Sequence, residues 1–145
     1  MNNDKVIIGD ADVLIASVFD GDAHHDLVKK LNEKIMENNL VLKFPNTAIL
    51  EAITMLKRVF NQSNFSHELN KDYLDGKYNI VYVDETIQKL ASEIFAKEKS
   101  KKNTIFDAIV LATAKTLKAA GIFSFDSWYK KQGFRVLARE PRVRA

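Results

Sequence analysis

Val6-Ile7-Ile8-Gly9-Asp10-Ala11-Asp12-Val13-Leu14-Ile15 is the stretch from which the fold can be read. Three consecutive branched apolar residues, with no polar alternation, mark a short strand covered on both faces, as strands of a parallel sheet are. Two carboxylates follow at once. The apolar run then resumes near Val13 as the start of a helix, so the chain passes from strand to helix across Asp10 and Asp12.

The same kind of short apolar run recurs at Leu40-Val41-Leu42, Ile80-Val81-Tyr82-Val83, Ile122-Phe123 and Phe134-Arg135-Val136-Leu137. Between these runs the apolar period is helical. Ile87, Leu90, Ala91, Ile94 and Phe95 form one stripe behind Asp84 as N-cap; Leu27, Leu31 and Ile35 mark a helix from near Asp22. Ile49, Ile53, Leu56 and Phe60 mark another starting just after Pro45. A further helix is expected from Ser66 toward Gly76, and one from Thr104 to Gly121, with that glycine at C′. Strands alternating with helices predict a three-layer α/β/α fold around a central, mostly parallel, five-stranded sheet.

A chain of 145 residues, 46% of them hydrophobic, suits one domain spanning 1–145. The net charge of +3 is unevenly placed: residues 1–128 carry 16 basic and 18 acidic side chains (−2), and 129–145 carry six basic residues against Glu140 (+5). The basic C-terminal tail, 138–145, suits a polyanion or simply a solvated end. Without cysteine there is no disulfide, thiolate metal site or cysteine nucleophile, so any metal must sit on oxygen or imidazole. No apolar run approaches the roughly 18 residues of a membrane span, and Met1-Asn2-Asn3-Asp4 lacks the features of a signal peptide, so a cytoplasmic protein is expected. The lysine-rich run from Lys97 to Lys102 reads as a solvated helix end.

Four acidic sites depart from the mixed-charge pattern of surface helices. Asp10 and Asp12 are the only charges from 6 to 19, Glu51 from 47 to 56, Asp107 from 103 to 114, and Asp126 from 119 to 129. Asp10 and Asp126 fall at strand carboxyl ends, the edge where open α/β sheets bind ligands. Asp107 and Glu51 fall in the first two turns of helices that follow strands or open on that edge. Two unit charges about 5 Å apart repel by roughly 3 kcal/mol at an effective dielectric of about 20, so such a cluster needs a cation or must hold protons. Oxygen-only donors select hard ions such as Mg²⁺ or Mn²⁺, and the chemistry they suit is metal-assisted phosphodiester hydrolysis.

Each acid also has a structural reading. Asp10 suits an N-cap, Thr104 with Asp107 resembles a capping box, Asp126 suits a cap for the short helix holding Trp128, and Glu51 suits a surface helix. Trp128 and Tyr129 either pack that helix or stack a base. His24, His25 and His67 read as surface helix residues, because helix neighbours point about 100° apart and adjacent histidines cannot share one ion.

Taken together, Val6 to Ile15, Thr47-Ala48-Ile49-Leu50-Glu51-Ala52, Phe106-Asp107-Ala108-Ile109-Val110-Leu111-Ala112-Thr113-Ala114 and Ser124-Phe125-Asp126 resemble the PIN domain, and within it the VapC-type ribonuclease toxins. The resemblance covers roughly residues 5–137. It implies Mg²⁺- or Mn²⁺-dependent cleavage of RNA, with Asp10, Glu51, Asp107 and Asp126 as catalytic and metal-binding residues. It further implies a homodimer and an antitoxin protein that holds the toxin inactive. Asp12 departs from the family, which has a small polar residue there; it is either a helix cap, the preferred reading, or an extra charge at the site. A haloacid-dehalogenase-like phosphohydrolase fits poorly, since Leu14 stands where that class needs a hydroxyl. A receiver domain fits poorly too, since its phosphoacceptor would have to be Asp84. The non-enzymatic alternative is a degenerate PIN domain that binds nucleic acid or scaffolds a complex.

Overall fold

The computed structural model describes residues 5–138. Five strands, β1 (Val6–Gly9), β2 (Val41–Pro45), β3 (Ile80–Val81), β4 (Gly121–Phe123) and β5 (Val136–Leu137), form one sheet in the order β3-β2-β1-β4-β5. Every pairing is parallel, with Ile7 beside Leu42 and Ile8 beside Ile122. The helices are α1 (Ala11–Val18), α2 (His25–Glu37), α3 (Asn46–Arg58), α4 (Ser63–Leu74), α5 (Glu85–Lys97), α6 (Ile105–Leu117) and α7 (Trp128–Lys131). The element order is the one expected from the sequence.

Why the first strand shows no polar alternation is now visible. Ile7 joins a core with Leu14, Val28, Ile49 and Leu56 on one face of the sheet, and Ile8 joins Val110, Leu111, Ala114 and Ile122 on the other. Both isoleucines are almost wholly buried, so the three layers follow from β1 having no wet side. Gly9 closes the strand because a Cβ there would fall on the Phe44 ring.

Several boundaries differ from the sequence expectation. α6 stops at Leu117, and Lys118 takes the left-handed C-cap conformation (φ 52°) assigned in the sequence to glycine. Gly121 instead opens β4, where a Cβ would stand 2.9 Å from the Arg135 carbonyl oxygen, so it is needed for strand packing. α2 begins at His25 and not near Asp22. α3 ends at Arg58, which takes Phe60 off the helical stripe. β3 and β5 are two residues each, shorter than their apolar runs. The basic tail lies outside the described residues, apart from the buried Ala138.

Candidate active site

The sheet order creates the site. From β1 the chain winds outward to β2 and β3 on one side, then crosses back to β4 and β5 on the other, so a crevice opens beyond the carboxyl ends of β1 and β4. The Asp10 amide donates to the Phe123 carbonyl at 3.0 Å and fixes these two ends together. Asp10 caps α1, its Oδ1 accepting from the Ala11 amide at 2.7 Å. Its Oδ2 accepts from Tyr129 Oη at 2.7 Å and from Ser124 Oγ at 3.2 Å.

Asp12 sits two residues further on, in the first turn of α1, and is not the cap. Its Oδ1 accepts from the Val13 amide at 2.7 Å, while its Oδ2 accepts from Ser124 Oγ at 3.0 Å and the Phe125 amide at 2.9 Å. Asp12 therefore braces the segment leaving β4. Ser124 is the hub: fully buried, it faces both carboxylates with a single hydroxyl hydrogen and accepts from the Asp126 amide at 3.0 Å. Asp126 in turn accepts from the Trp128 amide at 2.9 Å, so the loop into α7 is held at successive residues.

From the opposite wall come Glu51, on the second turn of α3, and Asp107, in the first turn of α6. The capping box expected for Asp107 is present: Thr104 N donates to its Oδ2 at 2.9 Å, and its own amide donates to Thr104 Oγ1 at 3.3 Å. Asp10, Asp12, Glu51, Asp107 and Asp126 all line one cleft of about 220 Å³, together with Ile15, Met55 and Phe60. Larger clefts of about 420, 510 and 320 Å³ lie elsewhere; the first two are lined by no carboxylate, and in the third Glu93 and Glu98 stand with Lys97 and Lys115.

The acids act on one another. Burial, and then the charges of Asp12 and Asp107, push the Asp10 carboxyl well above its usual range. Burial raises Asp12 to about 6, against the hydrogen bonds from Phe125 and Ser124. Glu51 rises to about 7 through burial first and then the charges of Asp107 and Asp12. Burial also raises Asp107, partly offset by the Thr104 amide and reinforced by Asp126. Burial is the first cause of all four shifts, and the charges of Asp12, Asp107 and Asp126 add to it.

The donor set is all oxygen and suits a hard divalent cation. Among the described residues no three side chains stand as a ready-made metal cage. Mg²⁺ does not require one, because it keeps several waters and is held by one or two carboxylates with substrate phosphate.

A family model described as PIN domain matches residues 7–134. The chain belongs to the PIN domain family. Solved structures share this PIN fold at low identity. VapC20 of Mycobacterium tuberculosis, a sarcin-ricin loop cleaving toxin, has a TM-score of 0.76 at 19% identity over 89% of this chain and 96% of that one. FitAcB from Neisseria gonorrhoeae has 0.65 at 16% identity, over 90% and 96%. A toxin-antitoxin complex from Klebsiella pneumoniae has 0.57 at 17% identity, over 91% and 96%. No curated protein matches the sequence.

All four acids singled out in the sequence of this PIN domain reach the cleft, and Asp12 joins them. Sequence reasoning missed Ser124 and Tyr129 as partners of Asp10. A serine ending an apolar strand two residues before Asp126 was the available signal for the first; nothing local pointed to the second. Of the two readings of Trp128 and Tyr129 the structure shows packing: both join the core beneath α7, and the Tyr129 ring is fully buried. The adjacent histidines are more engaged than surface residues: His24 stacks on Phe125 with centroids 4.5 Å apart, and His25 Nδ1 lies 2.7 Å from the Ala16 carbonyl oxygen.

Proposed function

We propose that this PIN domain is a Mg²⁺- or Mn²⁺-dependent endoribonuclease of the VapC type, the toxin of a type II toxin-antitoxin pair. The observation that carries the reading is the convergence of five carboxylates, from the β1–α1 junction, α1, α3, α6 and the loop after β4, on one cleft. Fold likeness to a sarcin-ricin loop cleaving toxin and to a toxin-antitoxin complex supports it. The same reading takes 1–145 as one domain with a basic tail, acting in the cytoplasm as a homodimer, with RNA as substrate and an antitoxin protein as partner. Among the described residues no helix is long and apolar enough to cross a membrane.

Asp10 and Asp107 are the residues assigned to hold the ion. When bound, the ion supplies a Lewis acid and an acidified water. Glu51 holds the attacking water or a second ion; raised to about 7, its carboxyl is matched to taking a proton near neutrality. Asp126 supports the site through its loop. Tyr129 and Ser124 keep Asp10 in one orientation.

Mn²⁺ should raise the melting temperature of the wild type, and Asp107→Asn should lose that shift together with RNA cleavage. Asp10→Asn with wild-type cleavage would overturn the assignment of Asp10. Growth arrest on expression, relieved by Asp10→Asn, separates a toxin from a housekeeping nuclease. One observation favours the degenerate alternative: Asp10 Oδ2 is already occupied by Tyr129 and Ser124. A wild type that neither binds Mn²⁺ nor cuts any RNA would overturn the nuclease reading.

A further inference from the structure

The turn between α1 and α2 carries two adjacent histidines, and their rings go to different neighbours. His25 Nδ1 lies 2.7 Å from the carbonyl oxygen of Ala16, in the last turn of α1, so this ring ties the turn back to the helix it leaves. His24 occupies the N-cap of α2, where a side chain ordinarily accepts from a helix amide, and it makes no such bond. Its ring lies instead against Phe125, with centroids 4.5 Å apart and planes 35° from parallel.

The turn is held at successive points. The Asp22 amide donates to the Phe19 carbonyl at 3.0 Å, the His24 amide to Asp22 Oδ1 at 2.8 Å, and the His25 amide to the Asp22 carbonyl at 3.0 Å. Gly21 lets the chain pass the Phe19 ring, since a Cβ there would stand 2.6 Å from it. His24 therefore presents its ring from a fixed frame, and little further ordering offsets the contact.

Phe125 stands between Ser124 and Asp126 in the segment leaving β4. Its amide donates to Asp12 Oδ2 at 2.9 Å, and the next amide, that of Asp126, donates to Ser124 Oγ at 3.0 Å. These bonds hold the backbone from within the site. The Phe125 side chain is not part of the cleft lining; it packs on the apolar core of the α1 side, where His24 meets it. Asp126 accepts only from the Trp128 amide two residues on, so its place in the cleft follows from the segment that carries it.

We propose that His24 is a positioning residue of the cleft: its ring clamps Phe125 from the α1–α2 turn and so sets Asp126 and the Phe125 amide that Asp12 accepts. The segment after β4 is then gripped twice, by Asp12 at the start of α1 and by His24 beyond its end. This rests on the metal-dependent nuclease reading and adds a residue that touches neither ion nor substrate.

The test measures the Mn²⁺ affinity of the folded protein at one temperature, from water-proton relaxation, beside hydrogen exchange of the metal-free protein. His24→Ala should weaken Mn²⁺ roughly two- to tenfold, the worth of one aromatic pair, and His24→Phe, which keeps a flat ring on Phe125, should restore it. Added to Phe125→Leu, His24→Ala should cost less than it does alone, because the contact is already impaired. In the metal-free protein His24→Ala should speed exchange at the Phe125 and Asp126 amides more than at Leu111, deep in α6. Wild-type Mn²⁺ affinity in His24→Ala with a lowered melting temperature would reduce the ring to packing. Fully additive losses, no rescue by phenylalanine, or exchange that quickens equally at Leu111 would likewise overturn the clamp, while leaving the nuclease reading intact. A wild type that binds no Mn²⁺ would remove both.

Discussion

Capping and site chemistry are not alternatives for the acids of this cleft. A carboxylate has two oxygens and several lone pairs, so Asp107 gives Oδ2 to the Thr104 amide, and Asp126 gives Oδ1 to the Trp128 amide, with acceptor capacity left over. The structural readings made from the sequence hold for Asp10 and Asp107, whereas the N-cap of α7 is Ser127 and Asp126 bonds the Trp128 amide from one residue further back. Asp10 differs in depth: only 5% exposed, it relies on the Tyr129 phenol, whose own ionisation burial and the Asp10 charge push far up. Tyr129→Phe keeps the ring in its core and removes one donor. It should cost about 1 to 2 kcal/mol in urea unfolding at neutral pH and weaken the Mn²⁺-induced rise in melting temperature. An unchanged Mn²⁺ response would show that the phenol serves packing alone.

Among the elements, α6 is the most constrained, and its apolar period shows why. From Ala108 to Ala114 every residue is buried, since the helix lies against the sheet on one side and α5 on the other. Leu111, fully buried in the cluster with Ile8 and Ile122, should cost about 2 to 5 kcal/mol as alanine, and calorimetry can check it. The end of the helix was misplaced from sequence because Gly121 offered the expected left-handed residue and Lys118 did not. Turning toward β4 demands the positive φ three residues earlier, and a lysine bears it at some strain. Lys118→Gly should therefore stabilise the protein by about 0.5 to 1 kcal/mol, and a lower melting temperature would contradict that account. The short strands β3 and β5 were over-read for a related reason: an apolar run marks burial, whereas pairing length depends on where the neighbouring strand ends.

For the whole molecule, the acidic cleft couples stability to pH. Asp10, Asp12, Glu51 and Asp107 all hold their protons more tightly when folded. Such groups add stability that is complete below the unfolded value and lost as pH rises through the folded one. For Glu51 that window runs from 4.5 to about 7. The melting temperature of the metal-free protein should fall across this window, Glu51→Gln should flatten the fall, and Mn²⁺ should oppose it at the upper end. A melting temperature that rises steadily over the same range would refute a repulsive cleft. The sequence by itself determined the order of strands and helices, the three-layer fold and the four acids in apolar settings, because burial periodicity and lone charges are local properties of the chain. Only the tertiary structure decided that these acids share one cleft, that Asp12 joins them as a brace, and that Ser124 and Tyr129 hold Asp10. The last two relations join residues more than a hundred positions apart, and the β1–β4 pairing in the centre of the sheet brings them within hydrogen-bonding reach.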